Sequence, residues 1–126
     1  MTIAEFMILA AALLPHITVG YAKGRARKDF DNADPRNLSH FDAVSLRAYN
    51  AHLNGFEIFP FFAAAVVIAE FHDASYAVLS ILALLFIVSR IAYTLAYVQN
   101  WAMGRSALFT VSLLLTVGIF LLPFFK

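Results

Sequence analysis

Asn50-Ala51-His52-Leu53-Asn54-Gly55-Phe56-Glu57-Ile58-Phe59-Pro60 runs without a break into the apolar residues 61–69. Two asparagines and a glutamate thus enter a stretch that otherwise reads as a membrane-spanning helix. An ionisable side chain in hydrocarbon is costly, so it faces protein or water rather than lipid and marks a functional site by default. The membrane reading rests on composition. The chain is 62% hydrophobic and 13% charged, against about 25% charged in a soluble domain, and its mean hydropathy is +0.77. Its 126 residues form one unit, 1–126. With no cysteine, disulfides and thiolate metal sites are excluded. A net charge of +1 argues against a nucleic-acid partner.

Outward from this stretch, the chain divides into four apolar segments, read as helices at about 3–22, 39–71, 75–98 and 105–125, with a polar loop at about 23–38. Each suffices for one crossing, which takes roughly 20 residues. The first lacks a basic leader and a clean cleavage site, so it reads as a retained helix; Pro15 within it predicts a kink. Asp34-Pro35 signals a turn in the loop. Ser39-His40-Phe41-Asp42 has the form of a capping box opening the second helix. That helix is longer than one crossing needs, so its early part, to about Tyr49, is expected to project from the membrane. Trp101 suits an interface, and Lys126 is free to snorkel.

Charge sets the expected orientation. Lys23, Arg25, Arg27, Lys28 and Arg36 lie in the first connection and Arg105 beside the third, whereas the turn 70–73 has no basic residue. The positive-inside rule places the first and third connections in the cytoplasm and both termini on the other side. The short loops suit a bacterial inner-membrane protein.

Helical geometry gathers the remaining polar residues. Arg47, Asn50, Asn54 and Glu57 fall within roughly 80° on the second helix, and Arg90, Tyr93, Thr94 and Tyr97 within roughly 100° on the third. Both stripes lie near the cytoplasmic end, at the level of Arg105. Two explanations stay open. Glu57 and an arginine form a buried ion pair that holds helices together, or the excess of Arg47, Arg90 and Arg105 over Glu57 forms a pocket for an anionic ligand. Tyr93 and Tyr97 equally suit an interfacial belt. His16 and His52 read as packing residues, Ser112 and Thr116 likewise. No histidine pair has metal-ligand spacing, so no metal site is expected.

The run 50–61 resembles the second-helix signature of the MAPEG family, membrane-associated proteins of eicosanoid and glutathione metabolism. That signature is Arg-Ala-(His/Gln)-x-Asn-x-x-Glu-x-x-Pro-(Phe/Leu). Arg90-Ile91-Ala92-Tyr93-Thr94-Leu95-Ala96-Tyr97 looks like the family's third-helix motif, and Gly104-Arg105-Ser106 is similar to the start of its fourth helix. The resemblance implies an all-α, four-transmembrane-helix bundle assembled as a homotrimer, with glutathione as co-substrate bound between subunits near the cytoplasmic face. Asn54 and Glu57 would then hold the glutathione main chain, Arg90, Tyr93 and Tyr97 would line the site, and Arg105 would activate the thiol. Asn50 stands where catalytic members carry Arg, with Arg47 one turn earlier as a substitute, and Ile58 stands where the family has tyrosine.

A thiol is mostly protonated at neutral pH, and a nearby arginine or helix N-terminus lowers its pKa. The leading expectation is therefore a glutathione-dependent transferase or peroxidase acting on lipophilic small molecules that enter from the membrane lipid. The alternative is a non-catalytic lipid-binding or scaffold protein of the same fold, favoured by Asn50. A small four-span exporter fits less well, because Glu5 lies at the end of the first helix rather than inside it.

Overall fold

The apolar segments become α1 (Ile3–Arg25), α2 (Ala43–Phe71), α3 (Tyr76–Val98) and α4 (Ala102–Leu121), followed by a 3-10 turn, Leu122–Phe125. The computed structural model describes residues 1–125, and Lys126 lies outside the described residues. Four helices are long and apolar enough to cross a membrane, and no strand occurs among the described residues. With 29 residues, α2 is about 43 Å long, more than a hydrocarbon core of about 30 Å requires.

Helix boundaries depart from the sequence expectation where local turn chemistry competes. α2 begins at Ala43, not near 39, and its cap is Asp42 rather than Ser39. The Ser39 amide donates to Asn37 Oδ1 at 3.1 Å, and Phe41 N–H to the Leu38 carbonyl at 3.0 Å, which holds 37–41 in turns. Asp42 then accepts from Ser45 N–H at 2.8 Å and from Arg25 Nη2 at 2.8 Å, tying the end of α1 to the start of α2. Hydrogen bonding from Ser45, reinforced by Arg25, holds the Asp42 carboxyl well below the usual carboxylate range. α1 accordingly continues to Arg25 instead of stopping near 22. α4 opens at Ala102, so Arg105 lies within its first turn rather than at its first position. In the loop, Asn37 N–H donates to the Asp34 carbonyl across the turn that Pro35 shapes.

The opposite end of the bundle has its own tie. Thr2 caps α1 in a capping box with Glu5, and its hydroxyl also donates to Glu70 Oε1 at 2.5 Å, joining the first residue before α1 to the last turn of α2.

α1 packs chiefly on α2 and α4 chiefly on α3, while α2 touches both α3 and α4. The interfaces are built from small residues, with Ala4, Ala65, Ala69 and Ala83 fully buried. That suits helices in a medium as apolar as their own side chains, where close backbone approach rather than water exclusion drives packing. Gly55 is the sharpest case: a Cβ there would lie 2.7 Å from Pro15 Cγ, so the proline ring of α1 seats directly on the α2 backbone. Phe62 and Phe86 stack with centroids 3.8 Å apart at the centre of the core. Ser89 and Ser112 hydroxyls meet at 2.8 Å across α3 and α4.

The turns after α2 and α3 share one design. Asp73 and Asn100 adopt φ of 54° and 60°. The amides of the next residues reach back five positions, Ala74 to Ala69 and Trp101 to Ala96, the Schellman pattern. Asn100→Gly is expected to be neutral or mildly stabilising. Asn100→Val is expected to cost about 1–2 kcal/mol, because a β-branched residue resists the left-handed region. Thermal unfolding in detergent checks both.

Candidate functional site

The polar residues meet at the end of the bundle where α3 finishes and α4 starts. Arg90, on α3, is only 3% exposed. A buried guanidinium must be hydrogen-bonded or it costs several kcal/mol. Its Nη2 donates to Asn54 Oδ1 of α2 at 2.8 Å, and Asn54 Nδ2 donates onward to Glu57 Oε2 at 3.1 Å. The two bonds fix the amide's orientation, since only the carbonyl oxygen accepts and only the nitrogen donates. Arg90 also lies 4.1 Å above the Tyr93 ring, a cation–π contact strengthened by desolvation.

Tyr93 and Tyr97 form an edge-on pair with centroids 5.9 Å apart, and Arg105 lies 4.6 Å over the Tyr97 ring. Tyr93 is buried and Tyr97 half-buried. The order Arg90, Tyr93, Tyr97, Arg105 is therefore a pair of rings between two cations that carries α3 onto α4. In front of it opens a groove of about 300 Å³ lined by Asn54, Tyr93, Arg105, Ser106, Phe109 and Thr110. Arg105 is half-buried at this groove. It sits in the first turn of α4, where unpaired amides and the helix dipole favour an anion.

The structure thus brings Asn54, Glu57, Arg90, Tyr93, Tyr97 and Arg105 together. It does not join Arg47 or Asn50 to them. Arg47 Nε donates to the Val98 carbonyl at 3.0 Å, satisfying an orphan acceptor at the end of α3. Asn50 is half-buried, and its side chain makes no hydrogen bond among the described residues. The ion pair expected between Glu57 and an arginine is replaced by the Asn54 bridge; the salt bridge found among the described residues is Arg25–Asp42. Arg90 lies behind Asn54 rather than on the groove wall, so the excess positive charge facing the groove comes from Arg105.

Ser106, Phe109 and Thr110 escaped the sequence reading. Their signal is the i,i+4 pairing of Arg105 with Phe109 and of Ser106 with Thr110 on one face of α4. His52 is buried, edge-on to Tyr49 and Phe56, whereas His16 is exposed and meets Phe56 edge-on; neither lines the groove.

A four-helix integral membrane bundle with a cation-and-tyrosine groove at one end is the class that fold and site define. Residues 3–125 match the MAPEG family, and the chain belongs to it. This family includes glutathione transferases and peroxidases. A comparison with individually curated proteins returned no match.

Arg105 is placed by its neighbours in sequence. A Cβ on Gly104 would fall 2.2 Å from Trp101 Cδ2 and Cε3, so the indole lies across the first turn of α4 only because residue 104 is glycine. Gly104→Ala is expected to displace the indole. Trp101 is the one tryptophan in the chain, so a change in its emission spectrum reads this directly; an unchanged spectrum contradicts it.

Proposed function

We propose that this protein is a membrane-bound glutathione-dependent transferase or peroxidase acting on lipophilic electrophiles. The observation that carries the reading is Arg105 at the mouth of the roughly 300 Å³ groove, in the first turn of α4. A cation and a helix N-terminus together favour thiolate over thiol, so Arg105 activates the glutathione sulfur. The thiolate then attacks an electrophilic carbon, forming the C–S bond as a leaving group departs or a proton is taken up. Alternatively it attacks a peroxide oxygen, cleaving the O–O bond to release the alcohol and leave a glutathione sulfenate that a second glutathione converts to the disulfide with loss of water. Glu57, exposed and held by Asn54, suits the glutathione ammonium. Tyr93 lines the wall, Tyr97 backs Tyr93 and Arg105, Arg90 holds Asn54, and Arg47 at the same end of the bundle is the remaining cation for a carboxylate. The positive-inside rule puts this end in the cytoplasm, where glutathione is available, in a bacterial inner membrane with both termini outside.

A homotrimer fits the outer face of α2. Positions 46, 50, 53, 57, 60, 64, 67 and 71 recur at alternating spacings of 4 and 3 and are exposed, Asn50 half so. That is a heptad seam, and an outward carboxylate in a membrane helix calls for a protein neighbour.

A second reading, lipid binding without catalysis, is favoured by a different feature. A largely apolar groove of about 570 Å³ runs between α1 and α3, lined by Leu14, Ile17, Tyr21, Ile91, Leu95 and Val98 among others. Asn50, in place of the family arginine, points the same way.

Adding millimolar glutathione to purified protein is expected to raise the ultraviolet absorbance of thiolate. Arg105→Ala is expected to abolish that signal and lower kcat/KM for conjugation by about 10²-fold, the scale of losing one stabilising donor. Protein that forms no thiolate and conjugates nothing, but co-purifies with lipid, decides for the second reading. Because the chain has no cysteine, Leu53→Cys is a clean probe of the seam. Oxidation is expected to link two copies, and a strictly monomeric product sinks the α2 assembly.

A further inference from the structure

Two polar side chains face out of the bundle at one depth. His16 lies on α1, nine residues before its end at Arg25, so roughly 13 Å in from that end. It is exposed, and its ring meets Phe56 of α2 edge-on, with centroids 5.2 Å apart. Glu57, the next residue of α2, is exposed too. Asn54 bonds one of its oxygens, and a carboxylate has about four acceptor positions in all. An imidazole and a carboxylate turned toward hydrocarbon are each costly alone. They are also complementary, since the imidazole donates a ring N–H and the carboxylate accepts it. Within one chain they do not pair: the salt bridge among the described residues is Arg25–Asp42. Residues 56 and 57 point about 100° apart around α2. Phe56 leans to α1, where His16 meets it, and Glu57 leans to α3, through Asn54 and Arg90. His16 and Glu57 thus occupy opposite flanks of the exposed seam of α2.

Symmetry brings opposite flanks together. Copies of one chain insert in one direction, so a rotation axis that relates them runs along the membrane normal. Around such an axis one flank of each copy meets the other flank of the next, whatever the number of copies, and depth is preserved. With the α2 seam at the axis, His16 of one copy comes against Glu57 of the next. We propose that a second copy of this chain supplies His16 to Glu57, an imidazole N–H donating to the carboxylate oxygen that Asn54 leaves free. His16 then joins the Glu57–Asn54–Arg90 chain from outside, beside the groove that Asn54 lines. The inference rests on the α2 seam as the contact between copies and stands whether or not the groove binds glutathione.

Cross-linking between differently tagged copies tests it, since the chain has no cysteine of its own. One copy carries His16→Cys and the other Glu57→Cys, and membranes holding both are treated with a short bifunctional thiol reagent. A reagent is needed because the pair spans more than the roughly 4 Å between Cβ atoms that a disulfide bridges. The expected product is a two-chain band that carries both tags, absent when either variant is expressed alone. Leu13→Cys paired with Phe61→Cys, one turn deeper on the same two flanks, leaves His16 and Glu57 intact and is expected to link as well. If neither pair links while Leu53→Cys copies do, the seam stands and the His16–Glu57 contact is overturned. If His16→Cys links to itself, the flanks are arranged otherwise and the proposal fails. If Leu53→Cys copies do not link either, the seam is wrong and the proposal falls with it.

Discussion

A guanidinium buried among membrane-spanning helices is the constraint that organises this molecule. Arg90 cannot shed its charge, and hydrocarbon offers it nothing. Each neighbour that meets its needs belongs to a different part of the fold: Asn54 from α2 by hydrogen bond, and Tyr93 from its own helix by its ring face. Tyr97 and Arg105 extend the same stack onto α4. The groove is therefore a by-product of satisfying one cation, with the second cation, Arg105, left at the open end.

Close approach makes this possible. Gly55 admits the Pro15 ring against the α2 backbone, one residue from Asn54, so a close contact between α1 and α2 lies at the depth of the polar network. Gly104 admits the Trp101 indole in the same way, one residue from Arg105. Gly55 and Gly104 thus each adjoin a site residue and are required by sterics rather than by backbone conformation, since neither has a positive φ.

Much of this was legible in sequence. Hydropathy located four helices because nothing but helices of this length can satisfy their backbone in lipid. Counting residues from the membrane edge placed Asn54, Glu57, Arg90, Tyr93, Tyr97 and Arg105 at one depth because helical rise is fixed. The errors have equally physical causes. Ser39 and Asp42 are both good helix caps, and only the competing Asn37 and Leu38 turns decide for Asp42. Arg47 shares an angular stripe with Asn54, yet a long flexible side chain goes to the nearest orphan acceptor, here Val98, which helical angles do not reveal. Ser106 and Thr110 read as ordinary polar positions until α4 is seen to border the groove.

The Asn54 amide has a consequence for how charge is distributed. It stands between Arg90 and Glu57 as a solvent molecule stands in a solvent-separated ion pair, oriented by both ions yet keeping them from direct contact. Merging the pair would quench both charges inside the bundle. Held apart, Arg90 is solvated in part by a dipole, and Glu57 keeps an exposed carboxylate. Neither Asp nor Leu at position 54 reproduces that insulation: one offers no donor to Glu57, the other no contact to either ion.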